Sequence, residues 1–277
     1  MKNENKSKEI FDKIHGHKLN LVKPKNDIRE TIIENIEKKD DVDIPKNDLE
    51  VSVVLAHIKT KKQKDILTKC LSSIKTEKIL SCNSVIDTDI QTMTDWCIYN
   101  NKNELLFQSQ YKDYNVRYYQ WKTDENGNVK TIDGDFEHGY AVYNLIKNGL
   151  LFAKSIGKEI VHVINYDYIV SPTIIQKNSN LLLENDMVLY EFGDYTNAHS
   201  TAFFSGKVDS LLKFFQFYNN KKEYYSDYDI KDGQSFIIEG KFWKFYKQNP
   251  AKILKKSTLE LKNDPDTTID ILSIFDF

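Results

Sequence analysis

The spacing of apolar positions between residues 138 and 170 predicts a helix followed by a strand. Apolar residues from Tyr140 to Ala153 recur at steps of three and four, as they do on one face of a helix. Gly157 then supplies a typical helix end. The run 160–164 is β-branched and almost continuously apolar, which indicates a strand covered on both faces. A polar cluster at 165–168 follows at once, and open α/β sheets bind ligands beyond the carboxyl ends of their strands.

The rest of the chain repeats this alternation of strands and helices. Strands are predicted at 49–56, 78–82 and 96–99, and the helix predicted at 61–74 makes the first two a parallel βαβ unit. An Asn-Gly turn between 116–121 and 129–132 predicts a β-hairpin. Later segments continue the pattern: strands at 187–190 and 202–206, and helices at 171–183, 208–218 and 234–246. The predicted fold is α/β, with a mostly parallel central sheet flanked by helices and a β-hairpin insertion.

Changes in composition divide the chain into three parts. Residues 1–48 are a charged, partly helical N-terminal extension, 49–250 form the α/β domain, and 251–277 are a C-terminal tail. The extension is expected to be either a partner-docking or targeting arm, or a mobile extension or a helix lying against the core, and the second alternative is favoured. The end of the tail, 268–275, is expected to be an edge strand or a docking segment.

Charge and cysteine content restrict the class of protein. The 277 residues carry a formal net charge of -2, which is unlike a generally basic nucleic-acid-binding protein but leaves a local basic face open. There is no apolar run long enough to cross a bilayer and no signal-peptide core, so a cytoplasmic location without a transmembrane segment is expected. Cys70, Cys82 and Cys97 form no CxxC motif and are expected to be reduced thiols. His162, inside a predicted strand, is expected to be a hydrogen-bonded core histidine.

Three motifs, in this order, resemble those of the family-2-like nucleotide-sugar glycosyltransferases with the GT-A fold. The sequence LTKCLSSI at 67–74 matches the L-x-x-C-L-x-S-I helix of that family. A Gly-x-Ala start at 139–141 leads into a helix with Lys-Asn-Gly at 147–149 and an alanine four residues beyond the glycine. The family's Asp-x-Asp after the next strand corresponds to Asn165-Tyr166-Asp167. The resemblance covers about 51–246.

This resemblance implies a GT-A-like fold that moves a sugar from a nucleotide-diphosphate sugar to an acceptor glycan or another hydroxyl acceptor, with inversion and with metal assistance. A divalent cation, Mn²⁺ or Mg²⁺, would stabilise the charge that develops on the diphosphate leaving group. Asp167 is the implied metal ligand, and one carboxylate suffices where phosphates and water complete the coordination. Asn165 stands at the family's first acidic position as a nucleotide-sugar contact. The alternative for Asp167 is a structural carboxylate in a turn.

The resemblance also implies the donor site and the catalytic base. The implied donor contacts are Ala56, His57 and Ile58 after the first strand, Asn83 after the second, and Asn103, His138 and Gly139 near the diphosphate or sugar. Asn83 replaces a family aspartate, and its amide can both donate to and accept from a base. In the family the catalytic base precedes a late helix, and the candidates here are Asp227, Asp229, Asp232 and Glu239. Asp232 is favoured, followed by Asp229. The alternative for each of the four is a solvated acid on the surface without a catalytic role.

Two other functions are consistent with the same residues. The neutral Asn165 and Asn83 indicate, as one alternative, a catalytically degenerate GT-A-like module for binding or interaction. The second alternative is a glycosyltransferase that acts on a modified nucleic acid, which the near-neutral charge neither supports nor opposes.

Overall fold

The computed structural model describes residues 47–102, 104–114, 119–123, 129–133, 135–191, 200–226 and 238–269. The predicted extension 1–48 lies outside this range except for its last two residues. The three-part division therefore stays a prediction.

Strands and helices alternate through most of the described chain. The strands are β1 (Glu50–Ala56), β2 (Lys78–Cys82), β3 (Trp96–Tyr99), β4 (Leu106–Phe107), β5 (Tyr119–Thr123), β6 (Val129–Asp133), β7 (Phe136–Glu137), β8 (Ile160–Asn165), β9 (Tyr168–Ile169), β10 (Met187–Glu191), β11 (Phe203–Lys207), β12 (Ile253–Ser257) and β13 (Thr268–Ile269). The helices are α1 (Lys61–Ser73), α2 (Thr88–Gln91), α3 (Gly139–Ser155), α4 (Pro172–Leu182), α5 (Val208–Phe215), α6 (Lys221–Ser226), α7 (Ile238–Gln248) and α8 (Thr258–Lys262), with a 3-10 helix at Gln108–Tyr114.

The central sheet has seven strands in the order β12-β10-β11-β8-β1-β2-β3. Neighbouring strands are parallel except where β11 pairs antiparallel with β10 and β8. The predicted α/β fold with a mostly parallel sheet is confirmed. The strands β2 and β3 extend from one side of β1, whereas β8 lies on its other side, so the strand order reverses between β1 and β8. Such a reversal is a topological switch point, which opens a crevice at the carboxyl ends of the strands.

Helices cover both faces of this sheet and account for the continuous apolar runs of its strands. One core cluster joins the sheet to α3, α5 and α7 through side chains such as Tyr143 and Phe214. The other joins it to α1 and α4 through side chains such as Leu67 and Ile175. Each large apolar side chain removed from water in this way contributes about 1.5–3 kcal/mol before the entropy of folding is subtracted.

The helix ends follow local sequence signals. Thr60 and Gln63 form a capping box at the start of α1, with Gln63 N donating to Thr60 Oγ1 over 3.2 Å. Ser171 caps α4, and Pro172 occupies its first turn. Gly157 has φ of +80°, the left-handed conformation predicted for the residue that ends α3.

His162 is buried in β8 and hydrogen-bonded, as expected. Its Nδ1 lies 2.8 Å from Ser205 Oγ, and its Nε2 lies 3.4 Å from Ser179 Oγ and 3.9 Å from Glu50 Oε2. This network joins β1, β8, β11 and α4. Its location inside the packed core indicates a structural role.

The remaining strands include the β-hairpin and two strands near the C-terminal end of the described chain. The predicted hairpin is present as β5 and β6, which pair antiparallel. The edge strand β12 was not predicted: it pairs with β10 and lies within 251–277, which the sequence assigned to the tail. Lysines are common in edge strands, and here they interrupt the apolar run by which the inner strands were recognised. The short β13 pairs with β9, in keeping with the edge-strand alternative for the start of 268–275.

The described helices include none with the length and apolarity to cross a membrane.

Candidate functional site

Most of the predicted donor contacts meet at the carboxyl edge of the sheet, on either side of the switch point. The register places Ala56 beside Cys82 and Leu55 beside Asn165. The chain segments that begin with His57, Asn83 and Asn165 therefore leave three neighbouring strands at the same level. Sequence order alone could not show that β8 is the neighbour of β1.

Two hydrogen bonds tie the loop after β1 to the loop after β2. His57 Nδ1 is hydrogen-bonded to Asn83 Oδ1, and the backbone N–H of Ile58 donates to Ser84 Oγ over 3.0 Å. Two separate hydrogen bonds therefore fix the two loops relative to each other. This arrangement holds His57 and Asn83 as one preorganised polar pair.

Asp167 lies in the tight turn between β8 and β9, with its side chain almost fully buried. Backbone bonds from Asn165 N to Ala202 O, of 2.7 Å, and from Tyr166 N to Leu55 O, of 3.1 Å, fix the start of this turn. Burial, together with the negative charge of Asp167, raises the pKa of Tyr168 to about 12. Asp167 and Tyr168 are both buried, so the carboxylate lies in a poorly solvated environment.

The residues at this turn offer oxygen ligands of the kind that a hard cation prefers. Asp167 supplies a carboxylate, and Asn165 supplies a neutral amide oxygen two residues earlier. The described part of the chain contains no group of three or more His, Cys, Asp or Glu side chains that could hold a metal ion by themselves. Magnesium and manganese sites of this kind rely on substrate phosphates and water for the remaining ligands.

A second group of polar side chains comes from the segment before β11, the N-cap position of α3 and the first turn of α7. Thr201 Oγ1 donates a 2.6 Å hydrogen bond to Glu239 Oε1 in the first turn of α7. Burial raises the pKa of Glu239 and lowers the pKa of His138, and the charges of the two groups act on each other. The charge of Glu239 also contributes to the raised pKa of Tyr168, which places Glu239 and Asp167 within electrostatic reach of the same phenol.

Gly139 begins α3 beside two buried side chains. A Cβ at this position would lie 2.6 Å from Glu137 Oε1 and 2.7 Å from the Tyr224 hydroxyl. The space that the missing side chain leaves is therefore filled by Glu137 and Tyr224. The expected approach of the Gly139 backbone to a ligand stays a prediction.

Glu137 is a buried acid that the sequence analysis did not single out. It accepts hydrogen bonds from Gly139 N and from the hydroxyl of Tyr225, but burial outweighs them and raises its pKa to about 7. Its only signal in the sequence is its position directly before His138 and Gly139. Thr201 carried no signal at all, because its contact with Glu239 depends on tertiary structure.

Three of the predicted site residues, Asn103, Asp229 and Asp232, lie outside the described residues. Asp227, an acid from the same group of four, lies outside them too. Glu239 is the member of that group whose surroundings the structure describes.

Comparisons with known proteins give no sequence-level relative. No family model matches the chain, and no curated protein matches it. Among solved structures, a protein described as a nucleotide-diphospho-sugar transferase from Desulfovibrio desulfuricans matches with a TM-score of 0.41 and 8% identity, over 78% of this chain and 88% of that one. A protein described as a UDP-N-acetylglucosamine pyrophosphorylase from Entamoeba histolytica matches with a TM-score of 0.31 and 12% identity, over 61% of each chain. Likenesses this loose carry no argument about function.

Proposed function

We propose that this protein is a glycosyltransferase that moves a sugar from a nucleotide-diphosphate sugar to a hydroxyl acceptor such as a glycan. The observation that supports the proposal is that the segments carrying His57, Asn83 and Asp167 leave β1, β2 and β8, which are neighbouring strands at the switch point. The crevice outside such a switch point is where doubly wound α/β sheets bind nucleotides. The motif resemblance independently implies donor contacts for His57 and Asn83 and a metal ligand for Asp167.

In this proposal the loops after β1 and β2 hold the nucleoside, and the turn after β8 holds the diphosphate. Asp167, with Asn165 beside it, would hold a divalent cation that neutralises charge on the departing diphosphate. His57 and Asn83 orient the nucleoside, because their hydrogen bond fixes both side chains before the donor arrives. His138, at the start of α3, lines the sugar side of the crevice.

An inverting transfer needs a carboxylate that takes the proton of the acceptor hydroxyl. Asp232, Asp229 and Glu239 are the proposed alternatives for this base. The surroundings of Glu239 suit the role: burial raises the pKa of its carboxyl, which makes the ionised form a stronger base. Thr201 donates a hydrogen bond to one oxygen of this carboxylate and so fixes its orientation.

A binding module without turnover is the second candidate function. It is favoured by the neutral Asn165 in the turn that carries Asp167, since an amide oxygen holds a cation more weakly than a carboxylate does. This candidate predicts donor binding that is independent of added metal and is not followed by sugar transfer.

The test is a thermal-shift measurement of the full chain against a panel of nucleotide sugars and nucleoside diphosphates, with and without Mn²⁺. A ligand that binds the folded state raises the melting temperature by mass action. We expect a shift with one donor that Mn²⁺ enlarges and that Asp167→Asn removes. Asp65→Asn, an exposed aspartate on α1, is the matched control and should behave like the unchanged protein.

The outcomes separate the candidates. A shift that needs no metal, persists in Asp167→Asn and is followed by no transfer to any acceptor would support the binding module. The absence of a shift with every nucleotide sugar and nucleoside diphosphate would refute donor binding itself.

A further inference from the structure

One buried carboxylate, that of Glu137, links the beginning of α3 to α6. Gly139 N donates a 2.5 Å hydrogen bond to its Oε1 atom, and the hydroxyl of Tyr225 on α6 donates to its Oε2 atom. Glu137 is 3% exposed, so both hydrogen bonds are shielded from water. The carboxylate therefore holds the first turn of α3 and α6 in one arrangement.

A buried lysine connects α7 to the same cluster. Lys241 is 1% exposed, and its Nζ atom lies 4.8 Å from the centre of the Tyr224 ring on α6. The Tyr224 hydroxyl lies close to Gly139, where an added Cβ would be 2.7 Å from it. The positive charge of Lys241 also favours the ionised form of Glu137. Lys241, Tyr224 and Glu137 therefore join α7 to the beginning of α3.

The candidate base Glu239 lies in the first turn of α7, two residues before Lys241. The position of α7 determines where this carboxylate lies, and the hydrogen bond from Thr201 fixes its orientation. His138, the residue after Glu137, interacts electrostatically with Glu239. The buried cluster therefore lies between the beginning of α3, on the donor side, and the base.

We propose that Glu137 is a positioning residue for the transfer reaction and holds Glu239 in place relative to the beginning of α3. The inference rests on the proposed function, because it concerns the base of the same reaction. Glu137 is almost completely buried, so it acts through its neighbours and not on a substrate. Its length lets it reach both Gly139 N and the Tyr225 hydroxyl, and its charge acts on Glu239.

The charge of Glu137 gives a readout that a purely structural role would leave unchanged. Burial raises the pKa of Glu239, and the negative charge of Glu137 adds to this effect. Glu137→Gln removes the charge but keeps both hydrogen bonds, because its amide oxygen accepts from Gly139 N and its amide N–H donates to the Tyr225 oxygen. The acidic limb of the kcat/KM profile should therefore move to lower pH, by about 0.5 pH unit or more.

The other charged and titratable groups around the cluster stay in place in this variant. They are Lys221, Tyr224 and Tyr225 on α6, Lys241 on α7, His138 before α3 and Tyr168 on β9, with Tyr111 and Glu104 acting on Tyr225 and Lys221. A shift of the acidic limb therefore reports the loss of the Glu137 charge.

Glu137→Asp makes the complementary change. It keeps the charge but shortens the side chain by one methylene, so the carboxylate no longer reaches both Gly139 N and the Tyr225 hydroxyl. A displacement of about 1 Å in a catalytic group can cost about 10² in rate, so kcat should fall by about tenfold or more. The donor dissociation constant should stay within about threefold, because most of the proposed donor contacts follow β1, β2 and β8.

The experiment uses the full chain, Mn²⁺ and the nucleotide sugar that gives the largest thermal shift, with water as the acceptor. Release of the nucleoside diphosphate gives kcat and kcat/KM from about pH 5 to about pH 9, and calorimetry gives the donor dissociation constant. Glu184→Gln, at an exposed glutamate after α4, makes the same chemical change elsewhere and should leave the profile unchanged.

The results separate this inference from the proposed function. An unshifted acidic limb in Glu137→Gln, or a kcat of Glu137→Asp within about threefold of the unchanged protein, would overturn the positioning role and leave the transferase intact. A loss of donor affinity in Glu137→Asp as large as the loss of kcat/KM would also overturn it, since Glu137 would then only support the donor site. A protein that binds no nucleotide sugar, or binds one without releasing the diphosphate, would overturn both.

Discussion

The backbone N–H of Gly139 donates a 2.5 Å hydrogen bond to the Oε1 atom of Glu137, two residues earlier in the chain. The second oxygen of Glu137 accepts from the hydroxyl of Tyr225 on α6. A carboxylate at the N-terminus of α3 interacts favourably with the helix dipole, but here it is almost completely buried. The beginning of α3 therefore depends on a buried acid and on the absence of a side chain at Gly139.

Gly139→Ala should destabilise the protein although alanine favours helices. Its Cβ would lie within 2.7 Å of both Glu137 Oε1 and the Tyr224 hydroxyl, so at least one buried side chain must move. Overpacking of this kind lowers the free energy of unfolding by about 1–3 kcal/mol. This loss is larger than the gain from the higher helix propensity of alanine. Urea unfolding monitored by circular dichroism measures the difference in unfolding free energy.

Tyr224→Phe is the control for this prediction. Within the described residues, the Tyr224 hydroxyl is buried without a hydrogen-bond partner, so its removal alone should cost little. In the Gly139→Ala background the same change removes one of the two close contacts and should restore part of the lost stability. If the double variant is no more stable than Gly139→Ala, the close contact with Glu137 alone causes the loss of stability.

The protonation of Glu137 should make stability depend on pH. Burial raises its pKa from 4.5 to about 7, so the folded state binds a proton that the unfolded state releases. This contribution is fully present below about pH 4.5 and is lost as the pH rises through about 7. Between pH 5 and pH 8, the free energy of unfolding of the unchanged protein should fall by up to about 3 kcal/mol relative to that of Glu137→Gln. Parallel curves for the two proteins would contradict the raised pKa.

The fold was largely predictable because apolar runs mark strands that helices cover on both faces. The strands β1, β2 and β3 and the helix α1 are present where the sequence predicts them, with ends that differ by a residue at most. The edge strand β12 escaped prediction because two lysines and a serine follow its two apolar residues and interrupt the apolar run that marks the inner strands.

The candidate site was only partly predictable, for a different reason. Polar residues directly after a buried strand, such as Asn83 and Asp167, could be recognised from local order alone. The hydrogen-bond partners of the site residues could not be recognised in this way. Thr201 and Glu239, for example, are separated by 38 positions and come into contact only in the folded chain. Helix α7 could be predicted from its apolar spacing, but the surroundings of its first turn could not.

Ser205→Ala should cost stability without affecting donor binding. Ser205 Oγ is hydrogen-bonded to His162 Nδ1 over 2.8 Å and to Asn178 Nδ2 over 2.9 Å, and all three side chains are fully buried. Loss of the hydroxyl leaves two buried polar groups short of a partner, which costs about 2–3 kcal/mol. Ser72→Ala, an exposed serine on α1, should change the unfolding free energy by less than about 0.5 kcal/mol. Equal effects of the two substitutions in urea unfolding would refute the structural role of the network.

Glu239→Gln tests the carboxylate whose surroundings best suit the base. If Glu239 removes the proton from the acceptor, the amide variant should lower kcat by about 10²–10⁴-fold, while the dissociation constant of the donor stays the same. The same measurements on Asp229→Asn and Asp232→Asn are the comparison. A loss confined to either of those variants would move the role of base away from Glu239.

Thr201→Val separates a catalytic role of Glu239 from a structural one. The hydrogen bond from Thr201 lowers the pKa of Glu239 against the larger, opposing effect of burial. Without this bond the pKa should rise further, so a higher pH is needed to ionise the base. The acidic limb of the kcat/KM profile should therefore move to higher pH in Thr201→Val, with activity recovered at alkaline pH. A uniform loss of activity at every pH would indicate that Thr201 and Glu239 only support the fold of the site.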